Sequence, residues 1–158
     1  MIQGTHDKVR GVSPALADWV TRTAVGAVFV MNIWCAATFL GWPEEFTGSF
    51  EVGGAPGRAI VQAFGILFLM WNATYPAVIW RPRNHQALFS VILAQQVIGL
   101  AGETWLALSL SPGHPALWAT AVRFILFDGA GLALMLLAYL VLLRSNAGRG
   151  STTRPRGR

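Results

Sequence analysis

Four long runs in this chain carry almost no charge, and they decide most of what it can fold into. They cover residues 23–42, 59–80, 86–110 and 117–143. The first two hold no Asp, Glu, Lys or Arg. The third holds only Glu103, and the fourth only Arg123 and Asp128. Each reaches the roughly 20 residues that cross a bilayer's hydrocarbon core as a helix. Backbone polar groups in lipid must be satisfied internally, so a helix is the expectation for each run. A membrane β-barrel would need polar and apolar residues in alternation, and these runs do not alternate. The expected fold is therefore all-α, a four-helix transmembrane bundle. The loops 81–85 and 111–116 are short and 43–58 is longer, which predicts an up-down order of antiparallel neighbours.

The basic residues predict the orientation. Lys8, Arg10 and Arg22 precede the first span, Arg81 and Arg83 lie between the second and third, and Arg144, Arg149, Arg154, Arg156 and Arg158 follow the fourth. All fall on one side. The other side has Arg58 against Glu44, Glu45 and Glu51. The positive-inside rule places both termini in the cytoplasm, as a multi-pass protein of a bacterial inner membrane. The expected organisation is an interfacial segment over 1–22, the bundle over 23–143, and a basic, disordered tail over 144–158. That tail is accounted for as a positive-inside anchor that rests on anionic lipid, so no nucleic-acid partner is expected. Trp42, Trp105 and Trp118 fall near the outer interface and Trp19 and Trp80 near the inner one, where tryptophan anchors a span.

The polar residues within the spans are the candidates for function. Glu103 and Arg123 come at similar depths on adjacent antiparallel helices. Each alone is costly in lipid, so a buried ion pair is expected, with helix locking as its simplest role. Asp128 is deeper and has no basic partner at its level. Gln95 and Gln96 match its depth, and Asn32 and Asn72 fall near the middle of their spans. A cluster of Asn32, Asn72, Gln95, Gln96 and Asp128 is expected, with Trp34 and Trp71 close by. It reads either as hydrogen-bonded glue between helices or as a polar pocket for a small ligand. Gln96, Gly99 and Glu103 share one helix face. Pro76 removes a donor one turn after Asn72, which predicts a kink and a free Asn72 carbonyl.

Several chemistries are disfavoured. The single cysteine, Cys35, forms no intrachain disulfide and no multi-cysteine zinc site. His85 and His114 fall on opposite faces of the membrane, which argues against bis-His haem. Glu-x-x-His pairs, P-loops and G-x-S-x-G motifs are missing from the sequence. No catalytic residue or metal site is assigned, and a non-enzymatic role is expected.

The blocks FLGWPEEF, APGRAIVQAFGILFLMWNATYP, AQQVIGLAGE and RFILFDGAGL resemble the BphX-like family of small integral membrane proteins, encoded near aromatic-degradation genes in some bacteria. The resemblance covers roughly residues 20–143. A looser similarity exists to DoxX-like four-helix membrane proteins, some of which are quinone-linked subunits. The resemblance implies a four-helix inner-membrane protein and supplies no catalytic residues. Together these readings predict an accessory or binding protein for a small apolar ligand or a membrane-protein partner. The alternative is a redox-linked subunit with a quinone held by Gln95, Gln96 and Asp128.

Overall fold

The computed structural model describes residues 12–150. The described chain is helical throughout its regular structure, with no strand among the described residues. Helix α1 runs over Pro14–Gly41. Ser13 caps it by accepting from the Leu16 N–H at 3.3 Å, and Pro14 occupies the first turn, where its missing N–H costs nothing. A short α2 (Glu44–Thr47) lies in the first loop. The second span is α3 (Gly54–Trp71), one 3₁₀ turn (Asn72–Thr74) and α4 (Tyr75–Trp80). Helix α5 spans Gln86–Ser109 and α6 spans Pro115–Gly150. Four helical stretches, with α3 through α4 counted as one, are long and apolar enough to cross a membrane.

Two boundaries differ from the sequence reading. Helix α1 takes in residues 14–22, expected to be an interfacial segment. Helix α6 continues to Gly150, so the first part of the expected disordered tail is helical. Hydropathy finds the apolar stretch, whereas a helix also extends through polar residues that keep its hydrogen-bond ladder. The basic residues at 1–11 and 151–158 lie outside the described residues.

Hydrogen bonds at the two ends fix the up-down order. At one end Arg83, from the loop before α5, reaches partners on two helices, α1 and α6. Its Nε meets Asp18 at 2.8 Å, its Nη2 donates to the Pro14 carbonyl at 2.7 Å and to Ser145 Oγ at 3.1 Å, and its Nη1 donates to Asn146. The start of α1 and the end of α6 are thus tied to one loop. At the other end, Glu51 accepts from the backbone N–H groups of Ala116 (2.9 Å) and Leu117 (3.1 Å) and pairs with His114 at 2.5 Å. Glu51 is a cap supplied from another loop, and its charge lies against the positive end of the α6 dipole. The His114 hydrogen bond, followed by the Leu117 N–H, holds the Glu51 carboxyl below its ordinary pKa. Glu51 has a φ of 52°, an uncommon conformation for a non-glycine residue, so the loop is bent to deliver this carboxylate.

The packed core lies toward the Arg83 end. Val25, Val28, Tyr75, Phe89, Ile92, Met135 and Leu142 are buried there, from all four spans. Helix α3 meets α1 closely at Gly65: a Cβ there would stand 2.8 Å from Leu40 Cγ and 3.0 Å from the Ala36 carbonyl oxygen. Beyond the 3₁₀ turn the bundle opens. Helix α5 packs on α4 and α6 but largely parts from α3. The break is at Asn72–Thr74, as the proline predicts. The Asn72 carbonyl is not left free, however. The 3₁₀ turn hands it the Tyr75 N–H, so tightening by one residue repairs the ladder that Pro76 interrupts.

Candidate functional site

Where α3 and α5 part, a cavity of about 160 Å³ forms. Its polar wall follows from the face predicted on α5. Gln96 is 1% exposed. Its Nε2 donates to Asp128 Oδ1 at 2.8 Å and to the Asp128 carbonyl at 3.4 Å. Its Oε1 accepts from Tyr75 Oη at 3.5 Å. Asp128 is held between Gln96 and Glu103, because Gly99 lies between them on the helix face and has no side chain. A Cβ at Gly99 would meet Asp128 Oδ2 at 3.1 Å and the Trp71 ring at 3.2 Å. Glu103 lines the same cavity as Asp128, two turns of α5 above Gln96. On the opposite side Asn32 Nδ2 donates to Asn72 Oδ1 at 3.2 Å, and Asn72 Nδ2 donates to the Phe68 carbonyl at 2.8 Å. Asn32 is 4% exposed, and its Oδ1 has no partner among the described residues. Phe64, Leu67, Phe68 and Trp71 supply the apolar wall.

The expected cluster therefore forms around Asn32, Asn72, Gln96, Asp128 and Trp71, with three corrections. The expected Glu103–Arg123 ion pair is not formed. Side chains lean toward the N-terminus of their own helix. On antiparallel α5 and α6 that rule sends Glu103 toward Asp128 and Arg123 the opposite way. Arg123 accordingly bonds one turn back, with Nε on the Ala119 carbonyl at 3.3 Å and Nη2 on Thr120 Oγ1 at 3.5 Å. Trp34 is 70% exposed and faces outward from the bundle, not toward the cluster. Gln95 does not line the cavity, and its Oε1 is buried without a partner among the described residues. Successive residues differ by about 100° around a helix, so adjacent glutamines at one depth point to different places.

Tyr75 belongs to the cluster and was not anticipated. Its signal was its position just after the broken turn, facing the span that carries Gln96.

A second, larger cavity of about 370 Å³ was also not anticipated. It lies at the Glu51 end, between α1, α3, α6 and the first loop. Phe39, Phe46, Phe50, Phe68, Phe124 and Phe127 line it, with Glu45, Ser49, Thr120 and Arg123 supplying polar groups. The rings contact one another edge-on and tilted, with Phe39 and Phe46 centroids 4.7 Å apart and Phe68 and Phe124 centroids 6.2 Å apart. Cys35 also lines this cavity and is half-buried. Phe68 is common to both cavities, so one ring separates them.

This is a helical bundle with four stretches long and apolar enough to cross a membrane, with an aromatic cavity toward one end and an acidic one beside it. No protein-family model, curated protein or solved structure matches the chain.

Proposed function

We propose that this protein is a binding or accessory protein of a bacterial inner membrane, and that it holds a small, mainly apolar molecule in the phenylalanine-lined cavity. The observation that carries this reading is the cavity itself. Its 370 Å³ falls in the size range of small-molecule sites, which are mostly apolar with a few placed polar groups. Arg123 is the cationic group among the four polar residues of the lining, with Glu45, Ser49 and Thr120 the others. It carries five N–H donors, and its two intramolecular bonds use two of them. The ligand that fits has an aromatic or aliphatic body against the rings and an acceptor or anionic head toward Arg123. The resemblance to the BphX-like family agrees with an aromatic compound.

Orientation belongs to the same proposal. Arg22, Arg81, Arg83 and Arg144 gather with the termini, and Glu44, Glu45 and Glu51 lie at the other end. Termini in the cytoplasm would set the aromatic cavity toward the outer face.

The quinone reading has less support. Gln96 spends its amide donors on Asp128, so it offers none to a quinone carbonyl.

The test is to purify the full chain in mild detergent and analyse solvent extracts by mass spectrometry, beside Arg123→Gln and Phe124→Ala variants. A reproducible apolar molecule, depleted in both variants, is expected. A stoichiometric quinone unaffected by them would support the redox-linked alternative, and an empty native bundle would overturn the proposal.

A further inference from the structure

The smaller cavity has an unusual inventory. Its free polar atoms are acceptors: Glu103 Oε2 and Asn32 Oδ1 are both buried without partners among the described residues, and Asp128 Oδ2 faces the Trp71 ring across Gly99. Among the described residues no Arg or Lys side chain lines it. Arg123, the one basic residue of the four apolar runs, turns away. Two carboxyl groups facing one small cavity are held there by a proton or by an enclosed cation, because neighbouring like charges cannot both stand ionised and uncompensated. The remaining wall is aromatic, from Trp71, Phe64 and Phe68. A ring face attracts a cation through its quadrupole, and tryptophan does so best.

We propose that this cavity binds a small organic ammonium ion. The carboxyl pair supplies the countercharge, Asn32 Oδ1 and Glu103 Oε2 accept its N–H or polarised C–H groups, and Trp71 covers its apolar substituents. The volume agrees with such an ion: 160 Å³ is about five water volumes at roughly 30 Å³ each. A bare metal ion would leave the aromatic wall without a role. Asp128 lies thirteen residues along α6 from Pro115, about 20 Å at 1.5 Å per residue. That depth places the site beyond a lipid headgroup, so the ion enters as a free solute. In the absence of the ion the shared proton takes its place, and proton and ammonium compete. The titratable groups around Asp128 are Glu103 from α5 in the same cavity and Tyr75 from α4, which reaches it through Gln96, with Cys35 from α1 in the neighbouring cavity.

The test uses the full chain in mild detergent and radiolabelled tetramethylammonium in equilibrium dialysis at pH 8 and pH 5. Saturable binding of one ion per chain is expected at pH 8, weakened at least tenfold at pH 5. Glu103→Gln and Asp128→Asn should each lower affinity at least tenfold. Trp71→Phe should retain binding better than Trp71→Leu. Gly99→Ala, whose added methyl enters the cavity, should block binding with all the acids in place, which separates loss of the site from loss of charge. Each variant is checked for an unaltered melting transition, and Trp34→Phe, whose ring faces outward from the bundle, should bind as the native chain does. Absence of saturable binding in the native protein overturns the proposal. So does binding that survives in the Glu103→Gln/Asp128→Asn double variant. Saturable sodium binding that tetramethylammonium does not displace overturns it as well.

Discussion

Glu103 and Arg123 offer a decisive perturbation, because depth along the spans pairs them and the structure separates them. In a double-mutant cycle, Glu103→Gln and Arg123→Gln are made singly and together. Arg123→Gln removes two hydrogen bonds, one to the Ala119 carbonyl and one to Thr120. At a net contribution of about 0.5–1.5 kcal/mol per bond the loss is about 1–3 kcal/mol. Glu103→Gln keeps the side chain's shape and replaces an uncompensated acid with an amide that can still donate to Asp128, so its cost should be within about 1 kcal/mol. The two residues share no partner, and the double variant should match the sum of the singles within about 0.5 kcal/mol. Glu103→Gln with Asp128→Asn should behave differently. Those two line one small cavity, and residues that share a site couple by about 0.5–3 kcal/mol. The measurement is reversible unfolding in a mixed-micelle SDS titration, followed by circular dichroism. A coupling above about 1 kcal/mol between Glu103 and Arg123 would restore the ion pair and refute the side-chain-direction argument, for which about 0.5 kcal/mol is the tolerance.

Three further outcomes are expected. Gly65→Ala should be less stable than Gly26→Ala by about 1–3 kcal/mol in the same titration. Both gain the same helix propensity, but only Gly65 meets Leu40 and the Ala36 carbonyl, whereas nothing lies within 4 Å of a Cβ at Gly26. Because folding lowers the Glu51 pKa, its contribution is present above the ordinary carboxyl value of 4.5 and lost as pH falls through the lower folded value. The melting-temperature gap between the native chain and Glu51→Gln should thus be widest above pH 5 and close toward pH 3. Arg83→Gln should destabilise by about 2–4 kcal/mol, since it leaves half-buried Asp18 without its cation and frees Pro14, Ser145 and Asn146, with bonds to charged groups worth about 1.5–3 kcal/mol each before discounting for partial exposure. Loss of protection against proteolysis at the ends of α1 and α6 should accompany it.

How far the site could be read from the chain depends on the geometry each residue needed. Gln96, Gly99 and Glu103 share a face by helical spacing alone, and they do line one wall. Asn32, Asn72 and Asp128 were placed by depth, which is additive along a helix, and that estimate brought the right neighbours together. Trp34, Gln95 and Arg123 were misplaced because depth carries no angle. Each sits at a suitable level but points elsewhere. The phenylalanine cavity was illegible for another reason. Its rings come from residues 39, 46, 50, 68, 124 and 127, and in the sequence each looks like ordinary apolar filler.

What the sequence determined by itself was the material of the bundle. Apolar runs of spanning length can satisfy their backbones only as helices, and that is a local property. The tertiary structure decided the rest. The 3₁₀ turn at Asn72–Thr74 swings α3 away from α5 and creates a cavity that neither helix encodes alone. The N-terminal lean of side chains on antiparallel helices then decides which charges meet there, and it gives Glu103 to Asp128 rather than to Arg123.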